Sequence, residues 1–165
     1  KAQLNPEANG NAWFVKRIQV VNSANEAIFA LDTLNTKTVA VLESVPDILN
    51  DYESLFNIDA LSSIKLLNYD VASLTYLSKT VRDQFAVFSE IYYEDGWNAY
   101  VDGKLVPHYR VNYVLRGMII PKGEHTIEFK FEPKVIQRGK IISLFSYLLL
   151  IGLPLIWFFI TKNKK

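Results

Sequence analysis

The chain has 165 residues, with 18 basic and 17 acidic side chains, a formal net charge of +1, and no cysteine. This length suits one domain with an appendage. The even charge balance argues against a nucleic-acid-binding protein, which would carry a basic excess on one face. A hydrophobic fraction of 50% excludes a disordered chain. Without cysteine there is neither a disulfide framework nor a thiolate metal site, and no cofactor is expected.

The first sixty residues carry the pattern of a strand, a helix and a second strand. Trp13–Val21 is rich in β-branched and aromatic residues, which predicts a strand. Ser23 and Glu26 are spaced as a capping box, and apolar residues at helical spacing then predict a helix of about ten residues. A second strand is predicted over Thr38–Leu42. Residues 1–60 are therefore interpreted as a short α/β start, which ends in an irregular loop.

Residues 61–140 read as a series of short β-strands. Asp102 and Gly103 predict a two-residue hairpin turn, because a type I′ turn needs positive φ at both positions. The segment from Pro121 to Glu124 predicts a second turn. The strand candidates are Ser63–Asp70, Ala72–Ser78, Gln84–Tyr92, Asn98–Val101, Lys104–Tyr109, Tyr113–Ile120 and His125–Glu132. Several strands joined by short turns predict an antiparallel β-sandwich. The fold class is therefore mainly β, with a short α/β N-terminal part in the same domain.

A twenty-residue apolar run follows the last strand. Residues 141–160 contain no charged side chain, and a helix of that length spans about 30 Å, the hydrocarbon thickness of a bilayer. A buried core helix is the alternative, but a domain of this size could scarcely cover it on all sides. Residues 161–165 carry three lysines, whereas residues 1–140 hold 15 basic and 17 acidic side chains, a net charge of −2. We expect one transmembrane helix, with the domain outside and the basic tail inside. The positive-inside rule does not decide this orientation, because basic residues lie at both ends of the helix.

Aromatic side chains concentrate between residues 92 and 113, beside carboxylates and amides. Flat aromatic faces with polar groups at their rim suit sugar rings. The candidate glycan-binding residues are Trp97, Tyr92, Tyr93, Tyr100, Tyr109, Tyr113, Arg110 and Arg116. The alternative for each aromatic residue is ordinary core packing, and the alternative for each arginine is a cross-strand salt bridge.

No set of residues identifies a catalytic centre. His108 and His125 could meet across strands, but two imidazoles without a placed carboxylate are a poor metal site, and none is predicted. Glu94 and Asp95 could serve in glycoside hydrolysis, a role weighed against that of a solvated loop. The chain has no nucleophile elbow, phosphate loop or dinucleotide fingerprint. No catalytic residue is predicted within it.

Residues 89–133 resemble the C-terminal region of the bacterial membrane protein YfhO family. The matching elements are Ser89-Glu90, Tyr92-Tyr93, Gly96-Trp97, Val101-Asp102-Gly103, Arg110-Val111-Asn112, Arg116-Gly117, and Pro121, Gly123, His125 and Thr126. The upstream segment Gly10–Val15 and the final hydrophobic helix are also similar to that family. Several matched positions are interpreted as turn and sandwich architecture: Gly96, Asp102, Gly103, Asn112, Gly117, Gly123 and His125.

The resemblance implies that the chain is the C-terminal fragment of a polytopic protein of the bacterial cytoplasmic membrane. YfhO-like proteins are similar to GT-C glycosyltransferases, which take sugars from a polyprenyl-phosphate carrier on the outer membrane face. This implies lipid-linked sugar transfer to cell-envelope polymers, with this extracytoplasmic or periplasmic domain covering the membrane site or binding the acceptor glycan. The implied partners are membrane lipid, the polyprenyl-phosphate sugar, the glycan and other envelope proteins.

Whether the parent protein is an enzyme stays open from the sequence. In the GT-C class the catalytic carboxylates lie in loops between early membrane helices, and no such loop is present in these residues. The resemblance therefore carries no catalytic residue into this chain. The alternative function is a non-catalytic binding or assembly module, tethered by its helix to an envelope complex.

Overall fold

The computed structural model describes residues 3, 5, 8–43, 56 and 61–162. The chain divides into two compact units, Lys1–Phe131 and Glu132–Lys165. The strands of the first unit are β1 (Ala12–Val15), β2 (Arg17–Val20), β3 (Val39–Leu42), β4 (Ser63–Asp70), β5 (Ser73–Thr80), β6 (Gln84–Ile91), β7 (Trp97–Val101), β8 (Lys104–Val106), β9 (Tyr109–Val111), β10 (Leu115–Ile120) and β11 (Gly123–Phe131). Helix α1 (Ala24–Leu31) lies between β2 and β3, and helix α2 (Lys134–Lys162) belongs to the second unit.

Two antiparallel sheets form the body of the first unit. One sheet has the strand order β1-β6-β10-β9, and the other has the order β4-β5-β11-β7-β8. Residues from both sheets share one buried cluster, in which Phe88 of β6 packs with Tyr76 of β5 and Phe129 of β11. The ring centroid of Phe88 is 4.9 Å from each of the other two rings, in edge-to-face geometry. The predicted antiparallel sandwich is therefore confirmed.

The four-stranded sheet is covered on its second face as well. Val15, Phe85 and Val111 point away from the sandwich core and pack with Ala40 and Leu42 of β3 in a second buried cluster. Strand β3 pairs in parallel with β2, and α1 connects these two strands. The predicted strand–helix–strand start is thus a separate layer on the sandwich. Its presence explains why β6 is apolar over four consecutive buried positions, Phe85 to Phe88, instead of alternating.

Helix α1 begins as its capping residues predict. The Ser23 Oγ accepts a hydrogen bond from the Glu26 backbone N–H at 3.2 Å. The Glu26 carboxylate in turn accepts one from the Asn22 backbone N–H at 3.0 Å. The first bond satisfies a helix N–H that has no partner within the helix, and the second ties Glu26 to the residue before the cap.

Two predicted strands are each divided between two sheets. The prediction of one strand over Trp13–Val21 is wrong, because the chain turns at Lys16, where the backbone N–H groups of Lys16 and Arg17 both donate to the Thr38 carbonyl. The prediction of one strand over Lys104–Tyr109 is wrong for a similar reason. Pro107 has no N–H to contribute to a ladder, and the chain passes from one sheet to the other there.

The turns follow the backbone angles that their residues tolerate. Asp102 and Gly103 have φ of 50° and 76°, which confirms the predicted hairpin turn between β7 and β8. Asn112 and Tyr113 also have positive φ, 47° and 70°, and form the turn between β9 and β10. The strand predicted from Tyr113 therefore begins only at Leu115.

Helix α2 has 29 residues and contains Pro154. Its segment Lys134–Leu155 is long and apolar enough to cross a membrane, and it is the one such helix among the described residues. The helix begins before the uncharged run predicted from residue 141, because the charged segment Lys134–Lys140 is helical too. The loop predicted over residues 43–60 lies outside the described residues except for Glu43 and Phe56, as do residues 163–165 of the basic tail.

Candidate functional site

A buried arginine lies where the ladder between β6 and β10 is irregular. Leu115 is opposite Ile91, but Arg116 is opposite Phe88, so Ser89 and Glu90 are extra residues on β6. Bulges of this kind redirect side chains and recur beside functional sites. Here the bulge allows the Arg116 Nε to donate a hydrogen bond to the Ile91 carbonyl at 2.9 Å. The side chain is directed into the sandwich, and the residue is only 2% exposed.

Aromatic rings surround the Arg116 guanidinium. Its central carbon lies 4.3 Å from the centroid of the Trp97 ring and 5.1 Å from that of Phe129. A cation over an aromatic face is stabilised by about 0.5–2 kcal/mol, with the larger values at desolvated positions. The Trp97 ring also packs against Phe131 at a centroid distance of 5.4 Å. The predicted residues Trp97 and Arg116 are therefore in direct contact.

Three further polar groups complete what we call the Arg116 site, defined by Arg116, Trp97, Glu90, His108 and Tyr76. The Arg116 Nη1, the His108 Nε2 and the Tyr76 hydroxyl are all buried, and none of the three has a hydrogen-bond partner among the described residues. Glu90 interacts electrostatically with Arg116, although no ion pair among the described residues joins the two side chains. Unsatisfied buried polar groups are costly, so a group of them marks a place where a polar ligand would be stabilised.

Burial shifts the pKa of each titratable member of this site. Burial, and secondly the positive charge of Arg116, lower the pKa of His108 to about 4, so the imidazole is neutral at pH 7. Burial raises the pKa of the Glu90 carboxyl, while the Arg116 charge opposes that rise. Burial also raises the pKa of the Tyr76 hydroxyl. The site therefore combines one cation, one carboxylate and two neutral hydrogen-bonding groups.

Partly exposed rings lie at the edge of the Arg116 site. The Tyr92 ring packs against His108 at a centroid distance of 5.2 Å, and His108 packs edge-on against Phe129 at 5.7 Å. Tyr92 and Trp97 are each half-buried. Tyr92, Trp97 and Arg116, all predicted from the sequence, are thus brought together at one end of the sandwich.

The other predicted glycan-binding residues lie elsewhere. Tyr100 is on the opposite side of β7 from Ala99 and Val101, which are buried, and its ring lies 5.1 Å from the Lys130 ammonium. Tyr109 packs against the second buried cluster, between the four-stranded sheet and β3. The remaining three are exposed: Tyr93 in the β6–β7 connection, Tyr113 in the β9–β10 turn, and Arg110, which pairs with Glu43 at 2.9 Å. The eight predicted residues therefore do not form one contiguous site.

The second histidine forms a separate cluster at the Asp102-Gly103 turn. The Asp102 carboxylate lies 2.6 Å from the His125 Nδ1 and accepts a hydrogen bond from the Thr126 N–H at 2.9 Å. The His125 Nε2 lies 3.1 Å from the Lys122 carbonyl. With an acceptor at each ring nitrogen, the protonated imidazole is favoured, which raises the pKa of His125 and lowers that of Asp102. The two histidines thus have different partners.

The remaining family-motif residues contribute to packing, to turns or to backbone hydrogen bonds. A Cβ on Gly96 would collide with the Phe131 ring, and one on Gly117 would lie 2.7 Å from Phe85 and Val111. Gly103 and Gly123 have positive φ, which other residues adopt at a cost. Asn112 is buried and is hydrogen-bonded to the backbone of β3. These residues therefore lie in turns or in the packed interior of the sandwich.

No described residues assemble a metal site. Within the described part of the chain, no group of three or more His, Asp or Glu side chains could hold a metal ion. Glu94 and Asp95 are both exposed in the turn before β7. Their surroundings match the solvated-loop interpretation that was weighed against hydrolysis.

Sequence reasoning missed three members of the Arg116 site. Tyr76 lies in the other sheet and His108 in the β8–β9 connection, and their contacts depend on how the two sheets pack. Glu90 is indicated by the sequence only as part of the family motif Ser89-Glu90, although that adjacent pair interrupts the apolar run of β6. That interruption is the one signal in the sequence that could have indicated the bulge.

The chain combines an antiparallel β-sandwich with a helix that is able to cross a membrane. This combination is typical of membrane-anchored domains. A family model described as "Bacterial membrane protein YfhO" matches residues 49–143, more than half of the chain. The chain therefore belongs to this family and is part of a bacterial membrane protein. The match covers all the motifs from Ser89 onward, and the Gly10–Val15 segment lies outside it.

One curated relative extends this comparison. The chain is 31% identical over 98 residues to "Uncharacterized protein YfhO" of Bacillus subtilis (strain 168). These 98 aligned residues make up 59% of this chain and 11% of the relative. The matched segment thus spans about a tenth of the relative's length. No solved structure matches the chain.

Proposed function

We propose that the chain is the C-terminal part of a polytopic protein that takes part in lipid-linked sugar transfer to cell-envelope polymers. In this proposal the sandwich is extracytoplasmic, the C-terminal tail is cytoplasmic, and the sandwich binds the acceptor glycan. Family membership supports a membrane protein, and the resemblance to GT-C enzymes supplies the sugar chemistry. Any catalytic residues would lie in the parent protein outside this chain.

The single observation that carries glycan binding is the juxtaposition of aromatic rings and buried polar groups at the Arg116 site. Sugar recognition combines an aromatic face for the C–H groups of the ring with donors and acceptors for its hydroxyls. Tyr92 and Trp97 offer partly exposed rings, while Arg116 and His108 offer nitrogen atoms and Glu90 a carboxylate. A charged guanidinium also suits an acidic glycan or a sugar phosphate.

This proposal is tested by titrating the full chain in detergent with cell-envelope oligosaccharides and measuring the heat of binding by calorimetry. Replacing Tyr92→Ala removes one ring at the edge of the Arg116 site. Ring contacts contribute about 0.5–1.5 kcal/mol, so affinity should fall about 2- to 12-fold. Tyr100→Ala is the matched control, because Tyr100 lies away from the site beside Lys130. Equal losses in both variants, or no binding by the unmodified chain, would contradict glycan binding here.

A non-catalytic assembly module is the second candidate. The observation favouring it is the number of apolar side chains exposed on the sandwich, among them Val71, Ile91 and Tyr93. Such surfaces commonly mark protein or membrane contacts. Copurification of a larger envelope complex that survives Tyr92→Ala, together with absent glycan binding, would favour this function.

A further inference from the structure

A group of apolar side chains is exposed at one end of the sandwich. We call it the end patch, and its members are Tyr69, Val71, Ile91, Tyr93, Val114 and Phe131. Val71 is 92% exposed and Ile91 is 70% exposed. Scattered apolar residues are normal on protein surfaces, but a contiguous group of them indicates a contact surface.

In the five-stranded sheet, backbone contacts place three parts of this end together. The Phe131 N–H donates to the carbonyl of Ala72, next to Val71 in the β4–β5 turn, at 2.8 Å. Phe131 is also paired with Trp97 at the start of β7. The β4–β5 turn, the end of β11 and the start of β7 therefore lie side by side.

The four-stranded sheet reaches the same end through Arg116. The Arg116 guanidinium lies over the Trp97 ring, and its Nε donates to the Ile91 carbonyl. The Tyr92 N–H in turn donates to the Val114 carbonyl at 2.7 Å. Ile91, Tyr93 and Val114 thus belong to the same end as Phe131, and the Arg116 site lies among them.

The chain leaves the sandwich from this end and continues into the membrane helix. Only Glu132 and Pro133 separate Phe131 from α2, whose segment Lys134–Leu155 is able to cross a membrane. Two residues reach at most about 7 Å when extended. The end patch is therefore covalently continuous with a membrane-spanning element.

Charge around the end patch indicates how it would meet a lipid surface. Its four segments, residues 67–73, 89–97, 112–115 and 131–133, contain five acidic and no basic side chains, and the adjacent lysines, Lys130 and Lys134, flank only the last segment. Attraction of the other three segments to anionic headgroups would need basic residues instead. Tyrosine and aliphatic side chains suit the headgroup boundary of neutral lipids, where aromatic residues are enriched in membrane proteins.

We infer that the end patch docks on the lipid interface of the bilayer that α2 crosses, with Val71 and Ile91 inserted at headgroup level. This inference goes beyond the proposed function, because it holds whether or not the Arg116 site binds a glycan. Docking would present the Arg116 site at the height of lipid headgroups. The lipid contact is apolar and does not depend on anionic lipid.

The chain's lack of cysteine allows a site-specific test. Val71→Cys and Val81→Cys are each labelled with the environment-sensitive fluorophore NBD in the full chain, reconstituted in phosphatidylcholine vesicles. Val71 and Val81 are both exposed and flank the opposite ends of β5, so the pair differs in position but not in chemistry. Quenching is measured with lipid that carries a nitroxide near its headgroup. Circular dichroism confirms that both labelled chains are folded.

We expect at least twofold stronger quenching at position 71 than at position 81. Adding phosphatidylglycerol should leave that difference unchanged or reduce it. Equal quenching at the two positions would overturn the inference, as would quenching at position 71 that requires phosphatidylglycerol. Absence of quenching at both positions would also overturn it. The glycan titration is a separate readout, so failure of one proposal does not imply failure of the other.

Discussion

Asn112 and Val41 bind each other through two hydrogen bonds that resemble a strand pairing. The Val41 N–H donates to the Asn112 Oδ1 at 2.8 Å, and the Asn112 N–H donates to the Val41 carbonyl at 2.9 Å. Asn112 adopts φ of 47°, a conformation that asparagine tolerates better than most residues. This contact joins the β2–α1–β3 layer to the sandwich.

Replacing Asn112→Ala should lower the free energy of unfolding by about 2–5 kcal/mol. The change leaves the buried Val41 N–H without its acceptor, at about 1–3 kcal/mol, and places alanine in the left-handed region, at about 1–2 kcal/mol. Denaturant unfolding of the full chain in detergent measures the loss. Asn112→Asp keeps the acceptor and should lose less. An alanine variant as stable as the unmodified chain would contradict this account of the contact.

Arginine-to-lysine substitutions should separate a buried, stacked position from an exposed one. Arg116→Lys loses the planar contact with Trp97 and the Nε bond to Ile91, so we expect a loss of about 2 kcal/mol in unfolding free energy. Arg110→Lys is the matched control, because the exposed Arg110–Glu43 pair is worth only about 0–1 kcal/mol. Thermal unfolding followed by tryptophan fluorescence compares the two variants. Similar losses for both would argue against the stacked geometry.

A methyl group at Gly117 should overpack the sheet. The new Cβ would lie 2.7 Å from the Phe85 and Val111 side chains, both buried, so we expect a loss of about 1–3 kcal/mol. Gly139→Ala is the control, since nothing lies within 4 Å of its Cβ. Denaturant unfolding of the sandwich should be unchanged by that control substitution. Tolerance of Gly117→Ala would mean that β10 is less closely packed than the structure shows.

The pKa values of the two histidines should lie on opposite sides of the ordinary value near 6.5. His108 is neutral by burial and should protonate only near pH 4, whereas the Asp102 carboxylate raises the pKa of His125 above its usual value. Imidazole carbon chemical shifts, followed by NMR over a pH series, report both midpoints. Asp102→Asn should return the His125 midpoint toward 6.5 and leave that of His108 unchanged.

These shifts also give the sign of the pH dependence of stability. The contribution of His125 is fully present below pH 6.5 and is lost as pH rises through its raised folded pKa. His108 acts oppositely, because its folded pKa lies below its unfolded one, and stability falls as pH drops from 6.5 toward 4. His108→Phe should flatten that acid limb, since phenylalanine keeps the ring packing and cannot titrate. If stability fell equally steeply with pH in the variant, groups other than His108 would control the acid dependence.

The sandwich could be predicted because the alternation of apolar and polar residues is visible within the sequence of a single strand. In β11 the buried Ile127 and Phe129 alternate with polar residues, and Asp102-Gly103 specifies its turn by the φ values it tolerates. The division of Trp13–Val21 could not be predicted, because its residues suit either sheet. Tertiary hydrogen bonds decide the break: Lys16 and Arg17 donate to the Thr38 carbonyl, and the Lys16 carbonyl accepts from the Phe56 N–H.

The candidate site was only partly predictable for a related reason. Composition drew attention to Tyr92, Trp97 and Arg116, and the structure brings these three together. It could not separate them from Tyr100 or Tyr109, because strand alternation alone does not say which face is buried. Membership of Tyr76 in the site depends on the packing of one sheet on the other, which leaves no mark in the local sequence.

Burial of β6 on both faces has a consequence for hydrogen exchange. This strand pairs with β1 on one side and β10 on the other, and residues 84–88 are all buried. Its amides have no local route to solvent, so their exchange should require opening of the whole sandwich. Amides of the edge strands β4 and β8 should exchange through smaller openings. The slowest-exchanging protons of the domain should therefore belong to Phe85, Val87 and Phe88.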